Sequence, residues 1–249
     1  MPQKRVALVT GGNKGIGLEI AKALAKNDVT VLVGARKLED GESAAKDIGA
    51  NAHAIQLDVT DQASIDAAAA RIRKDFGRLD IFMNNAGISR APKAGGTFQE
   101  AVAQNLLTAA PMADIRTVFE TNVFGVIAVT QAMLPLLRES PAARIVLTGT
   151  SGGSLTLNSD PSNNHRKMFG NYSASKAAAH AVTLAFALAL ESTGIKVNIA
   201  SPGFTKTALN NFNGTGSAEE GAKEPVRLAL LGADGPTGTF WEAGHSVPW

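Results

Sequence analysis

The chain has 249 residues, of which 45% are hydrophobic and 18% are charged, so it can bury one large α/β core. Its formal net charge of +2 is too small and scattered for a nucleic-acid surface, and the absence of cysteine excludes disulfides, a thiolate nucleophile and a cysteine-ligated metal site. No apolar stretch is expected to reach the ~18 residues of a membrane span, so we expect a cytoplasmic protein with neither membrane nor nucleic-acid partners.

Short apolar runs alternate along the chain with longer stretches of helical composition. The predicted strands lie at residues 6–9, 29–33, 53–57, 79–83, 145–147 and 197–200, with a short last strand within 232–249. The predicted helices lie at residues 16–26, 38–48, 64–76, 115–137 and 172–192. This alternation predicts a doubly wound α/β domain, a parallel sheet of about seven strands with helices on both faces. The segments 88–113 and 154–170 are longer than ordinary connections, so we expect functional loops there.

A glycine-rich turn follows the first predicted strand and opens the first predicted helix. This is the context that a dinucleotide-binding turn requires. Gly11 allows the tight turn, Gly15 lets the backbone approach a pyrophosphate, and Gly17 lets helix and strand pack closely. The N-terminus of the helix then faces negative charge. The turn predicts the cofactor-binding residues Gly11, Asn13, Lys14, Gly15, Ile16 and Gly17.

The end of the second predicted strand indicates which nicotinamide cofactor binds. An acidic residue there would hold the adenosine ribose of NAD, whereas an arginine accommodates the extra phosphate of NADP. The chain has no carboxylate at this strand end, and Arg36 and Lys37 follow it. Arg36 offers a planar fork to a 2′-phosphate, and Lys14 adds a second positive charge on the same side. We therefore predict NADP(H) as the cofactor.

Tyr172 and Lys176 lie one helical turn apart, so their side chains share one face of a helix. A free phenol loses its proton near pH ~10, and a neighbouring cation lowers that pKa. A phenol tuned in this way can transfer a proton at neutral pH. The pair predicts a general acid or base.

Together these motifs resemble the short-chain dehydrogenase/reductase family, and in particular its carbonyl reductase-like branch. The resemblance rests on residues 10–17, Asp58-Val59, Asn84-Asn85-Ala86-Gly87, Asn122, Tyr172-x-x-x-Lys176 and Pro202-Gly203. The amino-acid sequences of the glycine turn, residues 11–17, and of the segments 153–161 and 233–238 are similar to those of the carbonyl reductases. The resemblance implies a single Rossmann-like domain over residues 1–249, with a cofactor half at about 1–150 and a catalytic and substrate-loop half at about 151–249.

The resemblance also implies an NADPH-dependent carbonyl reductase, or ketoreductase, that reversibly transfers a hydride to a small-molecule ketone or aldehyde. Tyr172 would be the acid in reduction and the base in oxidation, and Lys176 would lower its pKa and hold the nicotinamide ribose. Asn122 would anchor a water that links Lys176 to solvent. The further cofactor contacts implied are Asp58 and Val59 at the adenine, Asn85, Ala86 and Gly87 at the adenosine ribose, and Pro202, Gly203, Thr205 and Thr207 at the carboxamide.

One catalytic position departs from the family pattern. An ungapped alignment places Gly149 and Thr150 where the family has a pair of serines at a strand end. Thr150 then holds the substrate carbonyl, because threonine offers the same donor and acceptor as serine while its methyl group restricts its rotamers. A shift of one residue would place Ser151 there instead. The register of the following residues 153–156 favours Thr150, with Ser151 as the alternative.

Several other expectations remain alternatives at this point. Residues 204–219 are expected to form a substrate lid, with Leu155, Met168, Phe204 and Phe212 lining the substrate site or belonging to the core. His165 and His180 are interpreted as surface or core residues, and no metal site is expected. The oligomeric state is open, a homo-oligomer being one alternative. A non-catalytic NADP-binding sensor or scaffold, or a steroid or sugar alcohol dehydrogenase, remains the alternative function.

Overall fold

The structure of the protein is a computed structural model that describes residues 4–89 and 103–249. Within these residues eight strands form one sheet: β1 Val6–Thr10, β2 Thr30–Ala35, β3 Ala52–Gln56, β4 Ile81–Asn84, β5 Arg144–Thr148, β6 Lys196–Ser201, β7 Thr239–Glu242 and β8 His245–Ser246. The order is β3-β2-β1-β4-β5-β6-β7-β8, and only the last pair is antiparallel among these neighbours. The predicted doubly wound fold is confirmed, with a short antiparallel strand beyond the about seven expected.

Helices connect the strands and cover both faces of the sheet. They are α1 Gly15–Lys26, α2 Leu38–Ile48, α3 Gln62–Phe76, α4 Met112–Phe119, α5 Gly125–Leu137, α6 Leu155–Ser159, α7 Asn171–Ala189 and α8 Ala218–Ala229. The predicted helices and strands are present with bounds that differ by a few residues. Part of the predicted loop 88–113 lies outside the described residues, and the predicted loop 154–170 contains α6 and a 3₁₀ turn at Asn164–Met168.

The alternation of side chains along β1 shows how the two faces of the sheet are buried. Val6 and Leu8 pack into a core cluster that includes residues of α3 and α5, whereas Ala7 and Val9 pack into a cluster that includes residues of α1 and α8. Successive residues of a strand point to opposite faces, so a central strand between two helical layers must be apolar throughout. This explains why every residue of β1 is buried.

Helix α8 was not predicted, because residues 204–219 are expected to form a lid and no element is predicted between them and the last strand within 232–249. Gly221 and Pro225 lie inside this helix and weaken its composition signal. A capping box was the available signal: Ser217 Oγ accepts from the amide of Glu220, whose carboxylate accepts from the amide of Ser217.

The predicted helix 115–137 is interrupted by a π-helical turn at Glu120–Phe124 that joins α4 to α5. Together, α4, the π-helical turn and α5 span Met112–Leu137, 26 residues with a mean hydropathy of 1.3 over an 18-residue window, which is long and apolar enough for a membrane span by length and composition. The expectation that no stretch is long and apolar enough is therefore wrong. Length and composition are weak grounds, however, because core helices pass the same test, and α5 packs against α3 and β4.

Candidate active site

The glycine turn between β1 and α1 has the backbone conformation that its sequence predicts. Gly11 and Gly15 adopt φ angles of +62° and +54°, in the left-handed region that side chains disfavour. A Cβ atom on Gly17 would overlap the carbonyl oxygen of Gly11 and the side-chain nitrogen of Asn85. The backbone at the start of α1 therefore lies closer to the glycine turn than any larger residue would permit, and the N-terminus of a helix at such a turn is suited to binding phosphate groups.

Thr10 and Asn85 hold this turn in place. Thr10 Oγ1 accepts hydrogen bonds from the amides of Asn85 and Ala86, at 2.9 Å and 3.0 Å. The side-chain amide of Asn85 donates to the carbonyl oxygens of Thr10 and Gly11, at 3.0 Å and 3.2 Å. The side chain of Asn85, predicted to line the adenosine ribose, thus donates to the turn itself. Sequence analysis missed the role of Thr10, although its place before the glycines was a signal.

The residues predicted to hold the adenosine half lie along the carboxyl edge of β1, β2 and β3. Lys14, Arg36 and Lys37 are exposed there, so their charges face solvent. Asp58 is half-buried, and its Oδ1 accepts from the amide and the hydroxyl of Thr60, at 2.9 Å and 2.7 Å. The remaining residues of this set are the half-buried Asn13 and Ile16 and the buried Val59.

Asn122 lies in the π-helical turn, where the wider helix turns its side chain towards the segment after β4. Its Oδ1 accepts from the amide of Ile88 at 2.9 Å, and its Nδ2 donates to the carbonyl of Ile88 at 2.8 Å and to Ser175 Oγ at 2.9 Å. Ser175 Oγ in turn donates to the carbonyl of Tyr172 at 2.7 Å. Ser175, which was not predicted from the sequence, links Asn122 to helix α7, which carries Tyr172 and Lys176.

Lys176 lies in the interior of the fold, beside Asn122. Its Nζ donates to the carbonyl of Thr148 at the end of β5, at 2.8 Å. A Cβ atom on Gly87 would lie 3.2 Å from Asn122 Oδ1 and 3.5 Å from Lys176 Nζ, so the three residues meet around one small space. Burial disfavours the ammonium form and lowers the pKa of Lys176 to about 8.

Tyr172 shows an electrostatic effect opposite to the one expected. Burial raises the pKa of its phenol to about 12, because the phenolate would lose its hydration. Burial is the one cause of the shift, and no lowering of the phenol pKa by Lys176 offsets it. The expectation of a lowered pKa is therefore wrong for the protein alone, and the phenol keeps its proton at neutral pH.

Thr150 and Ser151 leave the sheet together at the end of β5. Thr150 Oγ1 accepts from the amide of Gly152 at 3.2 Å, which caps a 3₁₀ turn at Ser151–Gly153. The amide of Ser151 donates to Ser201 Oγ at 3.1 Å. Both Thr150 and Ser151 are half-buried, so both hydroxyl groups remain candidates for the carbonyl site. Gly149 has no room for the side chain of a serine, because an added Cβ would overlap Ile199 Cγ2.

The segment after β6 reaches over the glycine turn. The position of a Cβ on Gly15 lies 3.7 Å from the methyl group of Thr207, and Ser89 Oγ donates to the carbonyl of Leu209 at 2.7 Å. Thr205, also predicted to contact the carboxamide, is buried and its hydroxyl donates to the carbonyl of Pro202 at 2.9 Å. Its hydroxyl is thus used within the loop, which leaves Thr207 as the better placed side chain. Pro202 and Gly203 form the start of this segment, with Gly203 at a φ of +71°.

The residues expected to contact the substrate are exposed and do not belong to the core. Leu155 is 61% exposed, Phe204 50% and Phe212 66%, and Met168 is exposed as well. Exposed apolar groups of this size beside a catalytic site are typical of ligand-binding surfaces. Within residues 4–89 and 103–249, no three carboxylate or histidine side chains form a group that could hold a metal ion.

The family of the protein follows from comparison with known proteins. A model of the short chain dehydrogenases matches residues 5–217. The chain belongs to the short-chain dehydrogenase/reductase family. It is therefore an oxidoreductase of a fold that binds a nicotinamide cofactor.

Individual relatives of this oxidoreductase agree with the family match. A short-chain dehydrogenase from Penicillium roqueforti is 36% identical over 240 residues, covering 92% of this chain and 90% of the relative. The solved structure of salutaridine reductase from Papaver somniferum is 30% identical, with a TM-score of 0.80, over 96% of this chain and 99% of that one. A 3-ketoacyl-(acyl-carrier-protein) reductase from Brucella melitensis, solved in complex with NADH, is 26% identical, with a TM-score of 0.79, over 96% of each chain.

The burial of Lys176 predicts a pH-dependent stability. Because its folded-state pKa of about 8 lies below the usual 10.5, the unfolded chain binds more protons between these values, and the free energy of unfolding rises with pH there. From pH 8 to pH 10 we expect the wild-type protein to gain about 2 kcal/mol more than Lys176→Met, measured by urea denaturation without cofactor. The exposed Lys46→Met is the control and keeps the wild-type gain. An equal gain in Lys176→Met would contradict a buried ammonium.

Proposed function

We propose that this oxidoreductase is an NADPH-dependent carbonyl reductase that converts a ketone or aldehyde into an alcohol, reversibly. The observation that carries the proposal is the linked set of Tyr172, Ser175 and Asn122, with Lys176 beside it. The side chain of Asn122 donates to Ser175 Oγ, which donates to the backbone carbonyl of Tyr172. Asn122 Oδ1 and Lys176 Nζ both lie beside Gly87, at the edge of the sheet that carries the glycine turn. An acid, a cation and a cofactor cradle at one edge of a sheet are the parts that carbonyl reduction needs.

The residues at the glycine turn fit a nicotinamide dinucleotide. The left-handed glycines and the closely packed start of α1 leave backbone amides free for a pyrophosphate. When bound, the nicotinamide supplies the hydride. The residues predicted to hold the whole dinucleotide lie in the glycine turn, at the edge of the sheet after β2 and β3, in the segment 85–87 and in the segment that ends at Thr207.

Tyr172 is suited to donate a proton in the direction of reduction. With a pKa of about 12 the phenol is protonated at neutral pH, yet it is a stronger acid than an alcohol. Its proton can therefore pass to the oxygen of the reduced carbonyl. Lys176, with a pKa of about 8, is mostly charged at neutral pH and stabilises negative charge that develops nearby.

Thr150 or Ser151 supplies the hydroxyl that holds the substrate carbonyl. Both follow β5, whose last residue Thr148 binds Lys176 through its carbonyl. We favour Thr150, because its hydroxyl accepts from the amide of Gly152 and is thereby held at the start of the turn. A hydroxyl held in this way polarises a carbonyl without reorganising during the reaction.

NADPH is proposed as the cofactor on the charge of the adenosine edge. Lys14 and Arg36 are exposed there, and no carboxylate ends β2. The exposed apolar residues Leu155, Phe204 and Phe212 favour a substrate with a substantial apolar part. Two of the similar proteins are named as reductases, one of salutaridine and one of a 3-ketoacyl group. A nucleotide sensor would differ from this proposal in having no turnover, and a steroid or sugar alcohol dehydrogenase would differ in its substrate.

The first test measures oxidation of NADPH against a panel of aryl ketones, keto esters, diketones and aldehydes. Wild-type protein is expected to turn over at least one carbonyl, and Tyr172→Phe is expected to lose about 100-fold or more in kcat because the proton donor is absent. Cofactor fluorescence checks that the variant still binds NADPH. Binding of NADPH without turnover by the wild-type protein would support the sensor instead.

The cofactor preference is tested at Arg36. We expect Arg36→Ala to weaken NADPH binding by about 10-fold or more, since a charge-assisted hydrogen bond to the 2′-phosphate is lost, and to leave NADH binding unchanged. Arg71→Ala, on the exposed face of α3, is the matched control. If the ratio of NADPH to NADH affinity stays the same in Arg36→Ala, the preference has another origin.

The carbonyl-holding hydroxyl is tested by comparing two single variants. Thr150→Ala is expected to lower kcat by about 100-fold, whereas Ser151→Ala is expected to lower it less than about threefold. The Michaelis constant for NADPH should be unaffected in both, because neither hydroxyl is assigned to the cofactor. The opposite order of the two losses would assign the role to Ser151.

A further inference from the structure

His180 lies directly beneath the loop that carries Thr150. It is on α7, one turn after Lys176, and its side chain is only 3% exposed. A Cβ atom on Gly149 would lie 2.7 Å from His180 Nε2, and one on Gly153 would lie 2.9 Å from His180 Cε1. The imidazole therefore occupies the space that side chains at both glycines would need. Gly149 and Gly153, on either side of Thr150, therefore both pack against the imidazole.

The ring also accepts a hydrogen bond at the point where the sheet ends. The amide of Gly149 donates to the carbonyl of Ala200 at 2.8 Å, which continues the pairing of β5 with β6. The next amide, that of Thr150, leaves the sheet and donates to His180 Nε2 at 3.4 Å. A backbone amide away from solvent needs an acceptor. For Thr150 the acceptor is the His180 side chain, and not a carbonyl of a neighbouring strand. The following amide, of Ser151, is accepted by Ser201 Oγ in the same way.

The imidazole also packs against an aromatic ring of the sheet. Its ring centroid lies 4.7 Å from that of Phe240 in β7, with the two planes tilted by 55°. Burial, and then the charge of Lys176, lower the pKa of His180 to about 3, so the ring is neutral at physiological pH. A neutral imidazole has one bare nitrogen, and an amide can only donate to it, so the proton resides on Nδ1 and Nε2 accepts.

We propose that His180 is a positioning residue for the reaction, which holds the backbone of Thr150 so that its hydroxyl keeps the orientation that binds the substrate carbonyl. The role rests on the proposed reductase function and on Thr150 as the carbonyl-holding residue. His180 touches neither substrate nor cofactor in this role. It acts on Thr150 through the hydrogen bond from the Thr150 amide and through its packing against Gly149 and Gly153.

The position also explains why the chain has Gly149 where the resembling family has a serine. A side chain at residue 149 would compete with Ile199 and with the imidazole for the same volume. In this protein the imidazole of His180 occupies that volume and accepts a hydrogen bond from the amide of Thr150. Holding a catalytic group to within a fraction of an ångström has large effects on rate, because misplacement by about 1 Å can lower a rate about 100-fold.

A double-mutant cycle separates positioning from simple core packing. His180→Leu removes the acceptor and keeps an apolar side chain, and His180→Gln restores an acceptor oxygen near the position of Nε2. We expect His180→Leu to lower kcat by about tenfold with the Michaelis constant for NADPH unchanged, and His180→Gln to recover most of the loss. In a Thr150→Ala background, His180→Leu should lower kcat no further. Equal losses in the two backgrounds, or no recovery in His180→Gln, would overturn the proposal.

A second measurement is independent of turnover and of the proposed function. Amide hydrogen exchange of a peptide covering residues 149–153 is expected to be faster in His180→Leu than in the wild-type protein, and close to wild-type in His180→Gln. If no carbonyl is reduced by the wild-type protein, the proposed function fails while this exchange still tests the contact. Unchanged exchange in a folded His180→Leu variant, or in His180→Met if the leucine variant does not fold, would refute the positioning role.

Discussion

The buried ammonium of Lys176 is the constraint around which the rest of the site is arranged. Its Nζ donates to the carbonyl of Thr148 at 2.8 Å, and burial lowers its pKa to about 8. An interior charge is unfavourable for folding, so its presence at the end of a central strand is typical of a functional position. Gly87 has no side chain and can therefore approach this charge, and Asn122 beside it is bonded to the backbone of Ile88. The π-helical turn is what brings Asn122 to that position.

The electrostatics of Tyr172 and Lys176 are not those of a simple ion pair. Each is destabilised in its charged form by burial, so the phenol holds its proton more tightly and the amine holds its proton less tightly than in water. In the protein alone this favours a phenol that donates a proton, as carbonyl reduction requires. The reverse reaction needs a phenolate, which the buried site disfavours. Reduction of a carbonyl and oxidation of an alcohol therefore place different demands on the same pair.

Much of the fold and part of the site could be predicted from local sequence patterns. The roles of Gly11, Gly15 and Gly17 follow from backbone sterics that act within a few residues, and the observed φ angles and close contacts agree with them. Helix α8 was missed because Gly221 and Pro225 hide its composition. His180 is buried, in agreement with one of its two interpretations. The hydrogen bonds of Thr10, Ser175 and His180 could not be predicted, because their partners lie 75, 53 and 30 residues away along the chain. Contacts of that separation leave no periodicity to detect.

The sequence by itself determined the family, the order of strands and helices, and the residue types that carry the chemistry, because these depend on local patterns and on spaced motifs. Only the tertiary structure decided which polar groups remain free to act. It turned the side chain of Asn85 to the glycine turn, placed the hydroxyl of Thr205 within its own loop, and raised the pKa of Tyr172 where a lowered pKa was expected. Burial and hydrogen-bond partners arise when distant segments pack together, and they decide the protonation and orientation of each side chain.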